Sequence, residues 1–285
     1  MSALTAVVSS HLRTPHLIVR NIRWRMPRTV SDRRLIFVVG APRSGTTLLQ
    51  RVLASHSKLF SIQGETGIFS ARNIFARDHF KLSKEDTSSL FVQSKDIVDF
   101  FSRGVGLLES RHGEGTFVEK TPQHVKHLRF LVKHFPEARF IHIVRDGRDC
   151  FCSAQSHPNI PQRSSVATFA RYWRSCICCA SDVEDVPNVF TVRYEDFTAE
   201  PGRVLAGIMA SLDLELEQEP GQLDPTKTGK DQRSEFAHFR RLTSSISSET
   251  VARWQREMTH DQVAAFELIA GAELLRHGYK LHAST

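Results

Sequence analysis

Short apolar runs alternate along this chain with stretches whose apolar residues recur every three or four positions, so the pattern switches repeatedly between strand and helix periods. LIFVV (35–39), TFVEK (116–120), RFIHIV (139–144) and NVFTVRYED (188–196) predict strands rich in β-branched and aromatic residues. TTLLQRVLAS (46–55) predicts a helix directly after the first strand. HVKHLRFLVKHF (124–135) predicts another, with Val125, Leu128, Leu131, Val132 and Phe135 on one face. Further helices are expected over 66–77, across 70–112, around Val204, Leu205, Ile208, Met209 and Leu212, and over 260–279. Strands and helices in alternation imply an α/β fold, a P-loop-type parallel sheet flanked by helices on both faces. The polar stretch 218–248 reads as one long loop, a lid or a disordered segment. Phe69, Phe75, Phe80, Phe91, Phe100 and Phe101 read as core by their helical spacing; an apolar acceptor cleft is the other reading.

Charge changes this picture at one end. The chain has 285 residues and a formal net charge of +7. Arg13, Arg20, Arg23, Arg25, Arg28, Arg33 and Arg34 against Asp32 place +6 of that within residues 1–34. The expected organisation is therefore a basic N-terminal arm (1–34) ahead of a single near-neutral domain (35–285). A near-neutral body is not a nucleic-acid footprint. The arm is either a solvated lead-in or a segment making weak contact with an anionic membrane surface. No run approaches a spanning helix and no secretory leader is legible, so a soluble, cytoplasmic protein is expected. Cys150, Cys152, Cys176, Cys178 and Cys179 lack metal-site spacing and read as buried, reduced thiols, with no metal expected.

The candidate chemistry begins at VVGAPRSGTTLLQRVL (38–53). Gly40 and Gly45 hold the glycine positions of a phosphate loop and Thr47 the hydroxyl position, but Thr46 stands where a nucleoside-triphosphate loop has its lysine. The backbone amides of such a loop and the following helix N-terminus cradle an anion with or without that lysine. Arg43 and Ser44 add side-chain donors. The expected ligand is a single 5′-phosphate group, or one carrying a small further substituent. A second signal is FIHIVRDGRDCFCSAQ (140–155): Arg145 follows the strand end, where open α/β sheets bind ligands. Ser153 lies about two turns along the next helix. Either the two pinch a second phosphate, or Arg145 or Arg148 simply pairs with Asp146 or Asp149.

With both signals in place, the sequence resembles the sulfotransferase superfamily, whose members use 3′-phosphoadenosine-5′-phosphosulfate (PAPS). GAPRSGTT resembles its 5′-phosphosulfate loop, and Arg145 with Ser153 its 3′-phosphate pair; the likeness runs from about residue 35 to about 279. It implies the sulfotransferase fold and PAPS as co-substrate without a metal. Arg43, Ser44, Gly45, Thr46, Thr47, Arg145, Ser153, Tyr194 (in VRYEDF) and Arg253 with a nearby serine (in SISSETVARW, 245–254) would hold the nucleotide. Tyr194 also reads as a core aromatic, and Trp254 as a packing anchor. Arg43 and Lys120 would stabilise the leaving group.

The base decides the branch. Where the cytosolic enzymes carry a catalytic histidine two residues beyond the lysine, this chain has Pro122. Glu65, in SIQGETGIF (61–69), resembles the glutamate of protein-tyrosine sulfotransferases and is the expected base; a capping carboxylate at the start of a helix 66–77 is the alternative. His124 is the rival base. His157 stands where the tyrosylprotein enzymes carry a further arginine, and their transmembrane anchor and disulfide cysteines are not seen here. The expected acceptor is therefore left as a small molecule, glycan or peptide.

Overall fold

The computed structural model describes residues 15–76, 78–217 and 250–282. The expected loop at 218–248, and with it the serines of 244–248, lies outside the described residues. Strands β1 (Ile36–Gly40), β2 (Leu59–Phe60), β3 (Thr116–Lys120), β4 (Arg139–Val144) and β5 (Val189–Arg193) form one parallel sheet in the order β2-β3-β1-β4-β5. The α/β expectation holds, helices on both faces included.

Strand alternation sorts the core into two layers. Ile36 and Val38 face α2 (Thr46–Leu53) and α9 (Pro201–Ser211), meeting Leu49, Leu53, Leu205 and Ile208. Phe37 and Val39 face the other way, among Phe100, Phe101, Phe135 and Phe140, with the Phe37 and Phe140 rings stacked at 5.2 Å. That second layer is closed by α4 (Ile97–His112), α7 (Val166–Ser181) and α11 (His260–Arg276). Phe69, Phe80, Phe100 and Phe101 are buried in it, so core is the correct reading for these rings.

Several expectations need correction. The segment 188–196 stops being a strand at Arg193, and Tyr194 opens a short helix, α8 (Tyr194–Ala199). The segment 124–135 is the end of a 3₁₀ stretch (Pro122–His127), which tolerates Pro122 in its first turn, followed by α5 (Leu128–His134). No helix spans the described residues 66–76, which contain a 3₁₀ turn at Ile74–Ala76. Gly67 has φ 60, a left-handed backbone that no α-helix continues through, and side chains rather than helical bonds satisfy the amides of this loop. Cys150, Cys152 and Cys176 are buried and burial pushes them up, Cys152 and Cys176 to about 12, but Cys178 is exposed and Cys179 half-buried at the end of α7. All five cysteines are free.

Of the described residues ahead of β1, Trp24 and Arg25 pack against the body of the protein. In α1 (Pro15–Trp24), Trp24 is buried against Phe75, Phe91 and Phe100, and Arg20 lies over the Phe75 ring. Arg25 donates to the carbonyls of Phe69 and Ala71. Among the described residues, no helix is long and apolar enough to cross a membrane.

Candidate active site

Strand order places the chemistry. The parallel strands end on one edge, so Lys120 closes β3, the loop Gly40–Gly45 leaves β1, Arg145 follows β4 and Tyr194 follows β5, side by side along the sheet. Glu65 arrives on the loop after β2, the strand beside β3.

The loop is built as an anion cradle. Arg43 (φ 72) and Gly45 (φ 100) are both left-handed, flanking Ser44, which turns successive amides toward one side. Arg43 is a non-glycine residue in a strained conformation, a feature that persists only where its surroundings enforce it. At Gly45 the left-handed φ combines with a close approach, since a Cβ there would lie 2.5 Å from Cδ2 of Tyr194. Gly45 is also the N-cap of α2 and brings no side chain to that helix's first amides, which stay open to an anion. Ser44 is fully buried and its Oγ has no hydrogen-bond partner among the described residues. Thr46 is buried and Thr47 exposed at the start of α2.

Two arginines meet at this loop without a carboxylate. The Arg145 guanidinium is buried, donates to the carbonyls of Arg43 (3.2 Å) and Thr250, stacks 4.4 Å over the Tyr194 ring, and leaves its Nε unpartnered. Arg43 reaches from the loop to α6 (Gly147–Gln155), where its Nε donates to Oγ of Ser153 at 3.1 Å. Neither arginine has a carboxylate within ion-pair distance among the described residues. Burial pulls the Arg43 guanidinium below its ordinary value, and repulsion from Arg145 and Arg253 adds to that. A buried cation left this way is expensive unless an anion joins it. The local ion pair that competed for Arg145 in the sequence belongs instead to Arg148, which holds Asp146 at 2.7 Å and Glu267 at 2.5 Å.

The segment 250–254 closes over the loop. The hydroxyls of Thr250 and Tyr194 lie 3.0 Å apart, and Arg253 pairs with Glu257 at 2.8 Å. Asp149 pins the segment by accepting the amides of Ala252 (2.8 Å) and Trp254 (3.0 Å). Burial raises its carboxyl to about 6 although both amides pull the other way. Trp254 is buried under Arg148, the packing anchor expected of it. Neither Thr250 nor Asp149 carries a local signal in the sequence: Thr250 meets Arg145, and Asp149 meets Ala252 and Trp254, across about a hundred residues of chain.

On the other side of the loop, Nζ of Lys120 lies 3.0 Å from Oε1 of Glu65. Lys120 is nearly buried while Glu65 keeps about a third of its side chain exposed, at 35%. The rival base fares differently. His124 is fully buried; its Nε2 accepts the Phe69 amide at 3.3 Å and its Nδ1 faces Oε2 of Glu119 at 3.1 Å. An Nε2 that accepts an N–H has no lone pair to offer a substrate. His157 follows α6, with Nδ1 3.0 Å from the Ser153 carbonyl.

This arrangement has counterparts. A family model described as "Sulfotransferase family" matches residues 35–218. Protein-tyrosine sulfotransferase 1 of Danio rerio is 26% identical over 278 residues, covering 89% of this chain and 74% of that protein. The Homo sapiens protein of the same name is 30% identical over 155 residues, covering 51% of this chain and 39% of its own. Among solved structures, the sulfotransferase domain of the Synechococcus PCC 7002 olefin synthase superposes with a TM-score of 0.60 at 19% identity, covering 87% of this chain and 98% of that domain. Mouse sulfotransferase SULT7A1 complexed with PAP gives 0.52 at 17% identity, covering 87% and 86%. At such identities the structural likeness speaks for the fold.

Proposed function

This chain belongs to the sulfotransferase family, and we propose that it moves a sulfuryl group from PAPS to the hydroxyl of an acceptor, with Glu65 as general base. The observation that carries the reading is the pair of carboxylate-free arginines, Arg43 and Arg145, gathered at a glycine loop beside the unpartnered Ser44 Oγ and Arg145 Nε. Cations and orphan donors on a helix N-terminus suit a multiply charged nucleotide. The PAP named with the mouse neighbour supports the same ligand class.

When bound, the donor supplies an activated sulfuryl group on a phosphate leaving group. The amides of the loop, with Ser44, Thr46 and Thr47, would hold its 5′ end; Arg145 and Ser153 its 3′-phosphate; Tyr194 and Arg253 would flank the nucleotide. Lys120 and Arg43 would balance charge developing on the leaving oxygen. Glu65 would take the acceptor proton, within reach of Lys120 and open to solvent on one side. The relatives' name, protein-tyrosine sulfotransferase, makes a tyrosyl hydroxyl the first acceptor to test, ahead of glycans and small phenols.

Incubation with radiolabelled PAPS and tyrosyl peptides, glycans and phenols tests the activity. Label should move to one class, and calorimetry should show 3′,5′-adenosine bisphosphate binding more tightly than ATP with Mg²⁺. A clear preference for the triphosphate would overturn the donor assignment.

A further inference from the structure

We propose that Glu119, buried on the strand that ends in Lys120, is a positioning residue that clamps the 65–69 loop and so holds Glu65 against Lys120. This rests on the reading of Glu65 as the base. Glu119, Thr121 and His124 are fully buried and Thr66 nearly so. Successive strand residues instead grip successive loop residues. Lys120 meets Glu65; Oε1 of Glu119 accepts the Thr66 hydroxyl at 2.7 Å; Oγ1 of Thr121 accepts the Gly67 amide at 3.0 Å. His124 extends the grip to Phe69, accepting its amide at Nε2. On the far side His79 sets its ring nitrogens 2.7 and 2.8 Å from the carbonyls of Thr66 and Ile74.

Proton counting makes Glu119 the hub. With Nε2 accepting from Phe69, the His124 proton sits on Nδ1 and is donated to Oε2 of Glu119. The Thr121 hydroxyl, accepting from Gly67, donates its own proton to Oε1 at 2.7 Å. A buried carboxylate is a poor way to stabilise a core that apolar residues fill as well. What it does supply here is a fixed geometry: three donors from two segments converge on one group, and the loop has no helix to hold its shape.

Thr66→Val removes the hydroxyl at constant size, and Thr66→Ser restores it. In Thr66→Val, hydrogen exchange at the Gly67 and Phe69 amides should quicken at least about tenfold. A crystal structure with 3′,5′-adenosine bisphosphate should show Glu65 withdrawn from Lys120, while affinity for that nucleotide is unchanged. Thr66→Ser should return both. Neither readout needs an acceptor. With the acceptor that takes label, Thr66→Val should lower kcat about tenfold, but should cost nothing further in a Glu65→Gln background. A Thr66→Val protein that loses thermal stability yet keeps slow exchange and an intact Glu65–Lys120 pair would reduce the network to core packing and overturn the proposal. If Glu65→Gln itself remains fully active, the base reading fails, while the exchange data still report whether the clamp exists.

Discussion

Nζ of Lys120 and Oε1 of Glu65 lie 3.0 Å apart, joining the end of β3 to the loop after β2. Such a pair fixes where the carboxylate points, which is what a proton acceptor needs. Glu65→Gln keeps the shape but not the basicity. Turnover should fall by roughly 10²-fold or more, the scale of lost general-base assistance. Binding of 3′,5′-adenosine bisphosphate, read by calorimetry, should stay within about twofold. Full activity in Glu65→Gln would remove the glutamate from the chemistry.

Arg145 should behave in the opposite way. Its guanidinium sits between the loop carbonyl of Arg43 and the Tyr194 ring with no carboxylate within ion-pair distance among the described residues. Arg145→Ala should weaken 3′,5′-adenosine bisphosphate by about 1.5–3 kcal/mol, the range of a charge-assisted contact. Thermal stability of the ligand-free protein should change little, or rise, because the substitution also removes a buried unpaired cation. Unchanged affinity would move the 3′-phosphate elsewhere.

Gly45→Ala probes the loop itself. The new Cβ would meet Tyr194 at 2.5 Å in a backbone at φ 100, so both sterics and conformation oppose it. A loss of stability on the order of 1–3 kcal/mol is expected from a strained left-handed residue, together with loss of nucleotide binding. Tyr194→Ala in the same chain should recover part of the stability by removing the clash, and a melting curve of the double variant checks this.

Asp149 gives a pH dependence with a definite sign. Its folded carboxyl stands at about 6, above its ordinary 3.8, because burial disfavours the charge. A group raised on folding contributes stability that is fully present below the unfolded value and lost as pH rises through the folded one. Relative to Asp149→Asn, the wild type should therefore gain stability as pH falls from about 7 to about 4, on the order of 1–3 kcal/mol. Melting temperatures of the two proteins across that window measure it. A gap between them that does not vary with pH would refute the assignment.

Much of the fold was legible because its signals are local. The strands 116–120 and 139–144 were readable to the residue, since apolar runs between turn signals need no distant partner to be recognised. The phosphate-type loop was legible for the same reason, glycines at fixed offsets between a strand and a helix. The helix assigned to 66–77 misled because Gly67 takes a left-handed turn that its apolar neighbours Ile68 and Phe69 disguise, and their burial comes from packing on the sheet rather than from a helical face.

By itself, then, the sequence determined the alternation of elements, the loop after β1 and the placing of Arg145 at a strand end. Each follows from the backbone preferences and periodicity of residues close in the chain. Tertiary structure alone decided which side chains meet. Inserting β3 between β2 and β1 brings Glu65 to Lys120 and leaves His124 buried beneath Glu119. The packing of α6 beside the loop gives Ser153 to Arg43 rather than to Arg145, and fastens the 250–254 segment to Asp149. The contacts of Glu65, Ser153 and Asp149 join positions 55 to 110 residues apart, and no local pattern encodes a pairing that only the crossing order of a parallel sheet and the closure of its two cores create.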